Sequence, residues 1–423
     1  MAYQAPKGTR DVLPSESYRW QYIEQLIRDI AKKYGLLEAR TPVIEHTELF
    51  LRGVGKTTDI VQKEMYTFLD KGDRSITLKP EGTAGMVRLF VEHNLFGEVQ
   101  PTKMFYLTNP VFRYENPQAG RLREHHQFGV EMFGAPRPSA DAECIAIVIE
   151  LLNKIGLSGL AVRLNSIGCP ECRPKYQEAL REYLLTNYDS LCETCKTRYE
   201  LNPLRILDCK NERCQKLLQN APVIGDFLCD DCKKHMDELL KRLELMNVRY
   251  EITPTLVRGL DYYTKTVFEV FSDRIGSQGA ICGGGRYDGL VEELGGPSCP
   301  GVGFGLGMER LLMLMDECGV AVPKPERYDL YIAGLGEAGD LKAFTLAQEL
   351  RARGLAVDTD HVGRSVKAQM KFADKAGARY VLVIGDNEIE CNKATLKNLR
   401  GGENKTVSLG AGEIDKMIHL EEH

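Results

Sequence analysis

The stretch MFYLTNPVFRYENPQAGRLREHHQFGVEMFG, residues 104–134, holds residue types able to bind a small polar ligand. Read with period two, its second half puts Gln127, Gly129 and Glu131 on one face and His126, Phe128, Val130 and Met132 on the other. An amide and a carboxylate flanking a glycine make a poor core face and a good ligand face. The glycine lets a substrate approach the backbone, and its neighbours supply a donor and an acceptor. Arg113 and Glu115 share a face near the end of the first half, and Arg121 and Arg123 lie in the turn. An Arg beside a Glu is most often a solvated surface pair. Several guanidiniums next to a polar sheet face read instead as a phosphate site, because each can grip two phosphate oxygens at once.

Three other stretches carry comparable groups. TLKPEGTAGMVRLF, 77–90, runs from a strand through Pro80 into a helix that Thr83 is placed to cap. LVRGLDYYTKTVFEVF, 256–271, brings Arg258, Tyr262 and Tyr263 to the entry of a strand. PGVGFGLGMERLLMLM, 300–315, has glycine at 301, 303, 305 and 307, which strips one strand face so that a flat ring can approach, and an amphipathic helix with Arg310 follows. It is not the dinucleotide fingerprint, whose last glycine would fall on Leu306 or Met308. Nor is LFLRGVGKTTDIV, 49–61, a P-loop, because Phe50 stands where the first glycine of the phosphate nest is needed. That segment reads as a surface loop hinged at Gly53 and Gly55.

Eight of the thirteen cysteines fall in four pairs: Cys169/Cys172, Cys192/Cys195, Cys209/Cys214 and Cys229/Cys232. C-x2-C repeated after nineteen residues fits a zinc template, and eight thiols suffice for two tetrahedral sites. Spacing leaves open which pairs would share a metal. A disulfide framework is not expected in so long a chain without a signal peptide.

The elements that must position these groups are legible in outline. A helix is expected over residues 15–34, with Trp20, Ile23, Ile27 and Ile30 on one face, a Ser15 cap and a stop at Gly35. ARTPVIEHTELF, 39–50, reads as extended, with Pro42 at an edge or bulge. Residues 104–134 predict a long antiparallel hairpin. CGVAVPKPERYD, 318–329, reads as a linker, and beyond it brief β-runs alternate with helices as in a small α/β domain with a mainly parallel sheet. The 423 residues suggest two to four domains, and 43% hydrophobic with 27% charged residues is a globular composition. No apolar run approaches the ~20 residues of a membrane span, so a cytoplasmic location and no membrane partner are expected. A net charge of −5 argues against indiscriminate nucleic-acid binding but leaves room for a local basic patch.

Taken in order, these pieces resemble the bacterial histidyl-tRNA synthetase family of class II aminoacyl-tRNA synthetases. PKGTRDVLP opens the match, residues 15–50 resemble motif 1, FRYENPQAGRLREHHQFGVE resembles motif 2, and GVGFGLGMERLLM resembles motif 3. LVRGLDYYT and ICGGGRYDGL resemble the two peptides particular to the histidine enzyme. The resemblance implies an α+β catalytic domain over 1–320, built on an antiparallel sheet flanked by helices, with a cysteine-rich insertion at about 170–245. It also implies a C-terminal α/β anticodon-binding domain over 327–423 and a homodimer. ATP with Mg2+ would bind through Arg113, Glu115, Arg121, Arg258 and Arg310, with Arg113 and Arg258 catalytic at the α-phosphate and Arg310 on the γ-phosphate. L-histidine would be read by Glu81, Thr83 and Gln127 at its ammonium and by Glu131, Tyr262 and Tyr263 around its ring. Arg121 and Arg123 would steer the acceptor end of tRNA(His). The full cysteine set exceeds what the family usually carries, so a structural Zn2+ there is an expectation from spacing and not from the resemblance. A catalytically inactive histidine-binding regulatory subunit of histidine biosynthesis, or a class II synthetase for another amino acid, are the alternative readings.

Overall fold

The computed structural model describes residues 3–55, 58–118, 120, 122–272 and 280–420, with the backbone alone at 108 and 109. The chain divides into two compact units, Met1–Val322 and Pro323–His423. The expected linker spans that division.

In the first unit, α1 (Ser17–Lys33) is followed by β1 (Leu37–Glu38), β2 (Ile44–His46), α2 (Thr47–Gly53), β3 (Tyr66–Leu69) and β4 (Ser75–Leu78). Then come α3 (Thr83–Glu92), β5 (Thr102–Phe112), β6 (Glu124–Phe133), α4 (Pro138–Ile155) and β7 (Leu160–Ser166). Four helices follow: α5 (Cys172–Leu185), α6 (Glu193–Leu201), α7 (Glu212–Leu218) and α8 (Asp230–Leu245). The unit closes with β8 (Tyr250–Ile252), β9 (Thr264–Ser272), β10 (Ala280–Arg286), α9 (Leu290–Glu293), β11 (Gly301–Gly307) and α10 (Met308–Glu317). An eight-stranded sheet runs β1-β5-β6-β11-β10-β9-β7-β8, antiparallel except at its two outer pairings. β2, β4 and β3 form a small antiparallel sheet beside it.

Strand alternation explains how the large sheet can be a core on one side and a binding floor on the other. Phe128, Val130 and Met132 of β6 and Val302, Phe304 and Leu306 of β11 pack with α1, α4 and α10 in the main core. Ile23, Ile27 and Ile30 of α1 are fully buried there, as the helical spacing predicts. The intervening residues of β6 and β11 are the glycines and polar groups of the site.

Several local expectations fail for identifiable reasons. α1 begins at Ser17, and no side chain caps it; Ser15 lies in the turn before it. The stop at Gly35 does occur, at φ +66°, where the Leu36 N–H reaches back to the Ala31 carbonyl. Residues 47–50 are helical rather than extended, because the chain turns into α2 directly after β2. Gly53 is buried in that helix against Leu290 and Ala84, so it is a packing residue and not a hinge. Gly55 has φ +98°, while Lys56 and Thr57 lie outside the described residues. Arg113 and Glu115 lie past the end of β5, not on it.

The second unit contains β12 (Tyr328–Gly334), α11 (Gly336–Arg351), β13 (Val357–Thr359), α12 (Val366–Lys375), β14 (Ala378–Ile384), α13 (Asp386–Cys391), β15 (Lys393–Asn398), β16 (Lys405–Ser408) and α14 (Ala411–His419). Its sheet order is β13-β12-β14-β15-β16; the first three strands are parallel, and β15 and β16 are antiparallel. No helix among the described residues is long and apolar enough to cross a membrane.

One buried ion pair ties the layers of the first unit together. Arg286, at the end of β10, pairs with Asp141 of α4, and both side chains are fully buried. His235 of α8 bonds the same carboxylate at 3.3 Å, and Arg286 also donates to the carbonyls of Ala135 and Arg137. Burial pushes the Asp141 carboxyl up, but the His235 hydrogen bond and the Arg286 charge outweigh it and hold it below its ordinary value. Removing one partner leaves a buried charge uncompensated, which typically costs about 3–5 kcal/mol. Arg286→Ala should therefore be destabilised by about that amount in urea unfolding. A loss under about 1 kcal/mol would show that the carboxylate is held by its other partners.

Candidate active site

Strand register aligns glycines across the middle of the large sheet. Gly129 of β6 faces Gly305 of β11, and Gly305 faces Gly283 of β10. What lies over each glycine divides the floor in two. A Cβ at Gly129 would collide with the ring of Tyr106, and one at Gly283 with the guanidinium of Arg258. A Cβ at Gly305 or Gly307 would meet only ordinary contacts, 3.7 Å from Gln127 and 3.8 Å from Arg310, so this end has room above the backbone. A cavity of about 290 Å³ stands over the open end, lined among others by Arg113, Gln127, Arg258, Glu269 and Arg310.

Each arginine reaches this cavity on a fixed support. Arg113 Nε donates to the Pro80 carbonyl at 2.8 Å, and Arg310 Nη1 donates to the Ala280 carbonyl at 2.6 Å. Arg258 pairs with Glu269, which β9–β10 register places opposite Gly283. Its Nε is buried and meets no hydrogen-bond partner among the described residues. Glu115 lines the same cavity. Arg123 stacks on the Tyr114 ring at 4.0 Å and donates from Nε to the Glu115 carbonyl at 3.0 Å. Arg121 lies outside the described residues.

At the filled end of the floor, carboxylates and phenols are buried together. Glu131 accepts from the Thr83 hydroxyl at 2.7 Å and from the Tyr287 hydroxyl. Glu81 accepts from the backbone N–H of Thr83 and Ala84, each at 2.8 Å, at the start of α3. The cap of α3 is therefore Glu81 and not Thr83, whose hydroxyl is spent on Glu131. Tyr262 donates to Glu81 at 3.4 Å, and the Tyr262 and Tyr263 rings are 4.7 Å apart. The structure thus brings Glu81, Thr83, Glu131, Tyr262 and Tyr263 into one buried cluster, while Gln127 lines the arginine cavity.

The helical segment between β7 and β8 grips the Arg258 strand entry. Arg205 donates to the Arg258 carbonyl at 3.3 Å, and Asn202 to Asp261 at 3.0 Å. Arg198 and Arg205 both pair with Asp59. In the same segment the eight cysteines gather into two sets of four, either of which could hold a metal ion.

A histidyl-tRNA synthetase profile matches residues 8–311, and an anticodon-binding-domain profile matches residues 329–413. A histidine–tRNA ligase of Caldanaerobacter subterraneus is 58% identical over 99% of this chain and all of its own length. That of Clostridium novyi is 55% identical over 99% of this chain, again with full coverage of the relative. The crystal structure of apo Staphylococcus aureus histidyl-tRNA synthetase superposes with a TM-score of 0.83 at 40% identity, covering all of both chains. The chain belongs to the histidyl-tRNA synthetase family. Its first unit has the class II histidyl-tRNA synthetase fold, and its second contains the anticodon-binding domain.

For a histidyl-tRNA synthetase, three side chains at the site have no clear signal in the sequence. Tyr287 acts through Glu131, 156 residues away, and Tyr106 covers Gly129 on the neighbouring strand, whereas Glu269 acts through Arg258 only 11 residues before it. The one local trace is Glu269, a single acid in the otherwise apolar run TVFEVF.

Burial pushes the Glu131 carboxyl from its ordinary 4.5 up to about 8, against the opposing hydrogen bonds from Tyr287 and Thr83. Glu81 is also raised by burial, partly countered by the Ala84 and Thr83 N–H groups. Between 4.5 and about 8 the folded chain holds a proton on Glu131 that the unfolded chain has released. Stability contributed by this group therefore falls as pH rises through that window and is flat above it. Glu131→Gln should flatten the fall in urea midpoint between about pH 5 and about pH 8, leaving the slope due to Glu81. An unchanged slope would mean that Glu131 is already ionised in the folded chain.

Proposed function

We propose that the chain ligates L-histidine to the 3′ end of tRNA(His) in two steps at the glycine floor. The observation that carries this reading is the juxtaposition of three anchored arginines around an open floor with a buried cluster of carboxylates and phenols. A triphosphate suits the first and a small cationic amino acid the second.

In the first step a histidine carboxylate oxygen attacks the α-phosphorus of ATP. The new bond yields histidyl-adenylate, and the bond to the β-phosphate oxygen breaks to release pyrophosphate. Adenine lies on the bare backbone of Gly305 and Gly307, beside Gln127 and Arg310. Arg113 and Arg258 hold the α-phosphate from two sides, and Arg310 holds the γ-phosphate. Arg258 is positioned before substrate arrives, by Glu269 and by the Arg205 contact to its carbonyl. Its guanidinium lines the cavity, where it meets the charge that builds up at the α-phosphoryl group. ATP enters with Mg2+, for which Glu115 offers the oxygen-ligand chemistry.

Histidine sits at the buried cluster, its ammonium towards Glu81, Thr83 and Gln127. Its ring lies between Glu131 and Tyr263, with Tyr262 adjacent. A site that bonds both ring nitrogens rejects side chains unable to reciprocate by about 10⁴. In the second step the terminal adenosine hydroxyl of tRNA attacks the adenylate carbonyl, and AMP leaves. Arg121 and Arg123 steer the acceptor end, the second unit reads the anticodon, and the enzyme works as a cytoplasmic homodimer.

The regulatory-subunit alternative is set aside by the full-length identity to histidine–tRNA ligases and by the anticodon-binding match at 329–413. Arg258 in its GLDYY context is also present.

A fixed cation aimed at developing charge is worth a few kcal/mol, so Arg258→Ala should lose ~100-fold or more in histidine-dependent ATP–pyrophosphate exchange. Near wild-type exchange in a folded Arg258→Ala chain would remove Arg258 from the chemistry.

A further inference from the structure

The cysteines of the helical segment converge in a pattern that their spacing left open. Cys169, Cys172, Cys229 and Cys232 form one set, and Cys192, Cys195, Cys209 and Cys214 form the other, with all sulfurs of a set within 4.8 Å of one another. The sulfurs of Cys169 and Cys172 are 3.5 Å apart, those of Cys169 and Cys229 3.9 Å, and those of Cys192 and Cys209 3.8 Å. A disulfide needs about 2 Å, so none is formed. A regular tetrahedron with metal–sulfur bonds of about 2.3 Å has sulfur–sulfur edges of about 3.8 Å. The observed separations are those edges.

Backbone geometry supplies a second, independent sign. The Cys229 N–H points at Cys172 Sγ at 3.1 Å, and the Cys192 N–H at Cys214 Sγ at 3.3 Å. In both sets the first cysteine of one pair donates to the second cysteine of the other. An amide aimed at sulfur favours the thiolate, the form that binds metal. Thiols without a metal have no need of the same backbone arrangement twice.

We propose that the chain carries two structural zinc ions, each bound by four cysteine thiolates in a nested pairing. The outer pairs 169/172 and 229/232 share one ion, and the inner pairs 192/195 and 209/214 share the other. Binding releases the thiol protons to solvent. Four sulfurs converging on one point suit a single soft-ligand ion, whereas an iron–sulfur cluster spreads its four thiolates over two or four irons and needs them further apart.

The ions compensate for short elements. α6 has nine residues and α7 seven, too few to be stable alone. The outer ion ties the start of α5 to the start of α8, beside Arg173, which donates to the Tyr263 carbonyl. The inner ion anchors α6, whose C-terminal end presents Arg198, Asn202 and Arg205 to Asp59, Asp261 and the Arg258 carbonyl.

Metal analysis of the full chain, purified without chelators, should find two zinc ions per chain, one for each cysteine set. A zinc-edge anomalous map from crystals of the unaltered chain should show one peak inside each set. The Cys172→Ser/Cys232→Ser double variant should keep one zinc and Cys172→Ser/Cys195→Ser none. Sequential pairing of neighbours along the chain would give the reverse pattern. Absence of stoichiometric zinc, iron in its place, the reversed variant pattern or anomalous peaks elsewhere would each overturn the proposal. The anomalous map decides the pairing even where a variant fails to fold.

Discussion

Arg258 lies flat on Gly283, where the missing Cβ lets a guanidinium rest on the sheet, and Glu269 from the adjoining strand holds it there. Each part of that arrangement depends on another part of the fold. The register of β9 with β10 puts the acid opposite the glycine. The core on the far side, built from alternate residues of β6 and β11 against α1, α4 and α10, keeps the strands in that register. The helical segment holds the Arg258 carbonyl from above through Arg205. A cation fixed in this way needs no reorganisation when negative charge develops beside it, which is what makes preorganised electrostatics effective in catalysis.

The two ends of the glycine floor handle charge in opposite ways. At the open end Arg113, Arg258 and Arg310 line one cavity, so an incoming polyanion meets several cations without leaving any of them buried alone. At the closed end Glu81 and Glu131 are buried with phenols and backbone amides, and burial pushes both carboxyls up. A ligand that brings an ammonium and a hydrogen-bonding ring supplies what the cluster lacks. An apolar side chain in the same place would add nothing to the carboxyl groups' existing hydrogen bonds and would leave their remaining lone pairs desolvated.

The features legible in the sequence are those that depend on period and local spacing. The alternation in β6 and β11 shows in the chain itself, so the division between core face and ligand face can be read from the order of Gln127, Gly129 and Glu131 alone. The stop of α1 at Gly35 is legible for the same reason, since a positive φ favours glycine. Pairings made by the tertiary fold are not legible. Glu269 meets Arg258, and Tyr287 meets Glu131, only because of strand register. Ser15 and Thr83 carry the right chemistry for caps. The chain nevertheless starts α1 two residues after Ser15, and it caps α3 with a carboxylate that can reach two amides at once. The cysteine pairs are alike in spacing, and only the path of the helices brings the first to the last.

The central claim is that this floor activates histidine and no other amino acid. Its most direct test is ATP–pyrophosphate exchange by the purified full chain, run separately with each of the common amino acids. The account predicts exchange with histidine alone, every other amino acid lying about 10⁴ or more below it. Comparable exchange with another amino acid, or none with histidine, would contradict the roles given to Glu131 and Tyr263 and the reading built on them.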